Sequence, residues 1–217
     1  MYCSDDAYEE IRSMLSEYDH PESGIHFIDT GNYHYMSRIF TSFIESEYEL
    51  VLLDHHTDMQ DTAFGDILSC GSWVKEILEK DAGLVSVLVI GPSVPAEGGT
   101  SELLPAPCER ITASRYHKKT LPEGSGTGSR SSDIPLYISI DKDVFAGSEC
   151  VTNWDQGDLL ISEAEGLLRR ITSGRKVIGA DICGGVSKSD PGYIAGTEMR
   201  NLASDIRLYE LCRQFFD

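Results

Sequence analysis

Apolar and polar positions alternate along this chain in two rhythms. Short, nearly continuous apolar runs occur at residues 25–28, 50–53, 84–90, 135–140 and 176–182, the pattern of strands buried on both faces. Between them, apolar residues at helical spacing predict helices over 8–18, 35–45, 72–79, 162–171 and 197–216. Ser162-Glu163-Ala164-Glu165 resembles a capping box at the entry to the fourth helix, and Gly174 supplies its stop. The alternation predicts an α/β protein with a mostly parallel sheet covered on both faces. Residues 120–133, rich in Gly, Ser and Thr after Pro122, read as an exposed loop, with a lid and a merely mobile segment both open.

Composition narrows the class. With 217 residues, 41% apolar and 25% charged, the chain has the size of a single domain, 1–217, able to bury a core without disulfides. No apolar run is long enough to span a bilayer. The N-terminal Met1-Tyr2-Cys3-Ser4-Asp5-Asp6 lacks the basic and apolar segments of a secretory signal, so a cytoplasmic location is expected. Six cysteines without a Cys-x-x-Cys pair argue against a zinc knuckle or a disulfide scaffold. A formal charge of -18 repels phosphate backbones, and no nucleic-acid or membrane partner is expected. The expected partner is a small-molecule substrate; assembly into a homo-oligomer is left open.

The candidate chemistry lies at strand ends. Asp54-His55-His56-Thr57-Asp58 follows the run 50–53, so Asp54, His56 and Asp58 are alternate residues emerging to one side. Ser139-Ile140-Asp141-Lys142-Asp143 repeats the arrangement after 135–140. In an open parallel sheet, ligands gather where strands end. His34, just after the turn Asp29-Thr30-Gly31-Asn32, adds an imidazole from a third segment. Carboxylates mixed with imidazoles suit divalent cations that must also hold water and substrate. Five carboxyl and imidazole donors from two segments exceed the needs of one ion, which points to two ions sharing bridging carboxylates.

These three motifs, in order, resemble the ureohydrolase family of arginase, agmatinase and formimidoylglutamase. Gly31-Asn32-Tyr33-His34 is similar to the family's Gly-Gly-Asp-His or Gly-Gly-Asn-His, residues 54–58 to its Asp-Ala-His-x-Asp, and residues 139–143 to its Ser-x-Asp-x-Asp. The resemblance runs from about Gly24 to the C-terminus and marks the chain as a divergent, shortened member. It implies a three-layer α/β/α arginase-like fold with two Mn2+. One ion would be held by His34, Asp54, Asp58 and Asp141, the other by Asp54, His56, Asp141 and Asp143. A bridging hydroxide would attack a guanidino, formimino or amide carbon, with Asp58 orienting it and receiving its proton.

Three departures qualify the substrate. Cys70 stands where arginase and agmatinase carry a proton-shuttling histidine, a place where formimidoylglutamase-like members have a small residue; Cys70, His55 and His117 are the candidates for that role, with packing the alternative for His55. Gly184 stands where the family's Asp-x-x-Glu has its guanidinium-binding glutamate, which disfavours arginine and agmatine; Asp181 in the same segment is a candidate for facing substrate or for orienting a metal-bound histidine. Trp154 is a candidate substrate wall, with core packing as the alternative. Two further readings stay open: a catalytically inactive metal-binding pseudoenzyme or sensor, and a deacetylase-like amide hydrolase with one Zn2+.

Overall fold

The computed structural model describes residues 2–62, 65, 67–117, 133–186, 188, 190, 193 and 196–216. Every apolar run becomes a strand within one or two residues of its expected bounds: β2 (Gly24–Phe27), β3 (Tyr48–Leu53), β5 (Leu84–Ile90), β8 (Leu136–Asp141) and β9 (Val177–Cys183). Two polar strands, β6 (Thr100–Ser101) and β7 (Ala113–His117), add an antiparallel edge, giving the order β2-β9-β8-β3-β5-β7-β6. The first five of these run parallel. A separate antiparallel pair joins β1 (Tyr2–Cys3) to β4 (Leu68–Ser69).

Period-two alternation divides each central strand between two cores. Tyr48, Leu50 and Leu52 of β3 pack with α1 (Asp5–Leu15), α2 (Met36–Thr41) and α3 (Trp73–Lys80), through Ile11, Phe40, Trp73 and Ile77. Val51 and Leu53 face the other way, toward α4 (Ile161–Ile171) and α5 (Thr197–Arg213), meeting Leu167, Leu168, Leu208 and Leu211. The result is three layers, α/β/α.

Helix bounds differ from expectation where caps intervene. The first helix starts at Asp5, three residues early, because Ser4 Oγ accepts from the Ala7 N–H. The fourth starts at Ile161: the Glu163 carboxylate folds back on the Leu160 N–H (2.9 Å), so the acidic half of a capping box acts alone, a leucine side chain having no acceptor to return. The possible lid falls, except for Asp133, outside the described residues.

Strand order fixes where a site can form. From β3 the chain crosses to β5 on one side through α3, and from β8 to β9 on the other side through α4. Adjacent β3 and β8 therefore flank the switch point, where diverging connections leave a crevice at the carboxyl ends of strands. Asp54 follows β3 and Asp141 closes β8. Among the described residues no helix is long and apolar enough to cross a membrane.

Candidate metal centre

The crevice holds a cavity of about 190 Å3 whose lining includes His34, Asp54, His56, Asp58, Asp141 and Asp143. All but His56 are buried. His34 arrives from the β2 side: Gly31–Tyr33 forms a 3-10 turn capped by Thr30, and the Gly185 N–H donates to Asp29 O (2.7 Å), tying that loop to the end of β9. Asp58 is held by the start of α3. Its carbonyl accepts from the Val74 N–H (3.1 Å), its Oδ2 accepts from Trp73 Nε1 (2.6 Å), and its backbone sits at φ 51. That left-handed conformation is unfavourable for a side-chain-bearing residue and is held here by contacts at both ends of Asp58. Asp141 caps the 3-10 turn Lys142–Val144, which contains Asp143, and the Asp143 N–H donates to Asp141 Oδ1 (3.0 Å).

The imidazoles point their Nδ1 atoms inward. Ser139 Oγ donates to Asp181 Oδ1 (2.7 Å) and lies 2.9 Å from His34 Nε2, so Ser139 accepts the Nε2 proton and Nδ1 carries the lone pair. His34 Nδ1 then faces Asp58 Oδ2 at 3.0 Å, Asp54 Oδ2 at 3.3 Å and Asp141 Oδ2 at 3.5 Å. Neither His34 Nδ1 nor Asp54 Oδ2 has a hydrogen-bond partner, although both are buried. A lone pair among three carboxylate oxygens is repulsive unless a cation or a proton lies between them. His56 repeats the scheme: Nε2 meets Asp155 Oδ1 (3.1 Å), while Nδ1 meets Asp143 Oδ2 (2.9 Å) and Asp54 Oδ1 (3.5 Å). Separations of 3.0–3.5 Å around His34 match the edges of a coordination shell with bonds of about 2.1 Å. The donors fit divalent cations on both sides of Asp54.

Electrostatics agree. Burial, then the charges of Asp143 and Asp54, push the Asp141 carboxyl up to about 7, and burial followed by Asp54 pushes Asp143 up to about 6. Hydrogen bonds to Asp143 and Asp54 push the His56 imidazole up to about 12. Such a cluster takes up either protons or metal.

The remaining candidates separate by position. Cys70 lines the cavity with Ser69 and Gly71, beside Tyr2 from the short β1 pairing. Trp154 also lines it, 42% exposed and edge-on to His56 at 5.7 Å, so it stands at the cavity wall and not in the core. Asp181 is fully buried, lies outside the cavity lining and accepts from Ser139 Oγ, which in turn meets His34. The His55 side chain turns toward another crevice, with Gly91 and Gly157, and contributes its backbone N–H to Asp143 Oδ1 (3.0 Å). A shuttle at His55 would need the ring on the cavity side; period two at the strand end puts it opposite His56. His117 closes β7, outside the cavity lining.

Two contributors, Asp155 and Cys183, escaped sequence reasoning, and a third position, Gly184, gains its reason only from the structure. Asp155 lies in an irregular loop and gave no spacing signal. Cys183, the last residue of β9, donates to Asp141 Oδ2 (3.2 Å), and the strand-end rule applied to that strand was the available signal. Gly184 explains the missing glutamate: at φ +89, a Cβ there would stand 2.4 Å from Asp141 Oδ1, so position 184 admits only glycine while Asp141 keeps its place.

Known proteins share this fold. No family model matches the chain. An uncharacterized protein of Thermotoga maritima is 29% identical over 175 residues, 81% of this chain and 62% of that protein, so the chain spans less than two thirds of that relative. Among solved structures, proclavaminate amidino hydrolase from Streptomyces clavuligerus matches with TM-score 0.56 and 18% identity, over 95% of this chain and 68% of the other. Formimidoylglutamase from Bacillus subtilis matches with TM-score 0.56 and 15% identity, over 94% and 64%. A triple mutant of a T. brucei arginase-like protein, bound with Mn2+, matches with TM-score 0.53 and 17% identity, over 98% and 68%. The chain thus has the arginase-like fold of the ureohydrolases, the family its motifs resemble.

Proposed function

We propose that this chain is a ureohydrolase-like metal-dependent hydrolase that cleaves a non-peptide C–N bond in a small molecule carrying a guanidino, amidino, formimino or amide group. The observation that carries the reading is the buried, unpartnered His34 Nδ1 aimed at carboxylates from two other strand ends. His34, Asp54, Asp58 and Asp141 would hold one cation, and Asp54, His56, Asp141 and Asp143 a second, with Mn2+ as the expected metal. When bound, such a pair lowers the pKa of water and polarises the substrate's trigonal centre.

The protein's own residues do the rest. Ser139 and Asp181 hold His34 in the tautomer that presents Nδ1, and Asp155 does the same for His56. Trp73 Nε1 donates to Asp58 Oδ2, which leaves Oδ1 as the oxygen able to take a proton from the attacking water. Trp154 and Cys70, from separate segments, both line the cavity where substrate would sit. Gly184 supplies no carboxylate for a guanidinium, which disfavours arginine and agmatine as substrates.

Elemental analysis should give about two Mn per chain against one Zn for the deacetylase-like alternative. An activity screen of the Mn-loaded protein against guanidino, formimino and acetylated compounds should find turnover that Asp58→Asn reduces by at least about a hundredfold. Bound metal with no turnover on any of them would leave the sensor reading in its place.

A further inference from the structure

Cys183 has no part in the six-residue ligand set, yet its sulfur is turned toward that set. Its Sγ is buried and lies 3.2 Å from Asp141 Oδ2. Donor atoms of Cys183, His34 and Asp141 all fall within 4.8 Å of one another. A second observation is independent of the thiol: His34 Nδ1, on a side chain only 1% exposed, has no hydrogen-bond partner and faces Asp141 at 3.5 Å. The backbone supports the approach, because Gly184, with no Cβ, lets the end of β9 close on Asp141.

We infer that Cys183 is a further donor to the deeper cation, beside His34 and Asp141, and that the centre is chemically two-sided. The deeper position, with nitrogen, oxygen and sulfur donors, accepts Mn2+ in the Mn-loaded protein but prefers a borderline-soft cation such as Zn2+. The outer position, at Asp54, His56 and Asp143, offers only nitrogen and oxygen and takes a hard cation such as Mn2+. As the sulfur–metal bond forms, the thiol proton leaves to buffer and no oxidation state changes. This inference rests on the metallohydrolase reading, since it concerns the same centre.

The test uses Co2+ as the probe, titrated into the metal-free full chain with absorbance recorded. The expected result is a near-ultraviolet thiolate-to-cobalt charge-transfer band, lost in Cys183→Ser and retained in Cys70→Ser. Zn2+ affinity should fall at least about tenfold in Cys183→Ser while Mn2+ affinity changes little. X-ray absorption on the Zn-loaded native protein needs no variant and should show a sulfur scatterer at about 2.3 Å. Stoichiometric Co2+ without the band, or Zn2+ without a sulfur scatterer, would overturn the role of Cys183 alone and leave it a hydrogen-bond donor to Asp141. Failure of any divalent cation to bind would overturn the metallohydrolase reading as well.

Discussion

Protons and cations compete for the same oxygens in this centre, and the competition is set residue by residue. Asp141 at about 7 and Asp143 at about 6 stand above the ordinary carboxyl value of 3.8. In the metal-free protein their contribution to stability is greatest when they are protonated and is lost as pH rises from about 4 through 7. His56 shifts in the same direction: raised from 6.5 to about 12, its imidazolium contributes fully below 6.5 and the contribution is lost as pH rises from there toward 12. A cation must therefore expel protons from Asp141, Asp143 and His56. Mn2+ affinity is expected to rise steeply between about pH 5 and 8, with net proton release on binding. Calorimetry in buffers of different ionisation enthalpy measures both, and a flat affinity across that window would contradict the assignment.

Strands β8 and β9 act at the next scale by holding an imidazole in register. Ser139 pairs with Asp181 across the two strands and with Leu52 on the other side, so the side chains of Ser139 and Asp181 share a face and meet beneath His34. Ser139→Ala removes the acceptor for His34 Nε2 and frees the ring to turn. Metal affinity should fall by about 10–100-fold with far-ultraviolet circular dichroism unchanged; an unaltered affinity would show that the ring is held by packing alone. The strands themselves were legible, four because their apolar runs are buried and β2, at the sheet edge, because it kept an apolar run although Phe27 is exposed. The β6–β7 edge was not: Arg115, in the middle of β7, pairs with Glu102 and lies 3.7 Å from Glu49, and a polar edge strand carries no apolar run to read.

For the whole molecule, a binding site present only in the folded state couples cation to stability. Saturating Mn2+ at about a hundred times its dissociation constant adds about 2.7 kcal/mol. For a chain of this size that raises the melting temperature by about 5–10 °C, and a chelator should reverse the rise in scanning calorimetry. Identical melting with Mn2+ and with chelator would mean that no ion is held by the native fold. The loops of the switch point, residues 29–34, 54–60 and 142–157, all converge on the cavity, so the gain should be concentrated there and show as slowed hydrogen exchange.

Local pattern determined much of this protein. Nearly continuous apolar runs specified the strands, period 3.6 the helices, and Asp and His just past two strand ends specified which residue types gather at a carboxyl edge. Those signals are short-range, carried by neighbours in the chain. Tertiary structure alone decided that β3 and β8 lie side by side at the switch point, which histidine nitrogen faces inward, that Asp155 and Cys183 join the neighbourhood, that Asp181 acts through Ser139, and that Gly184 must lack a side chain. Each of these depends on strand order and on contacts between residues far apart in the chain, and no spacing within a single segment encodes them.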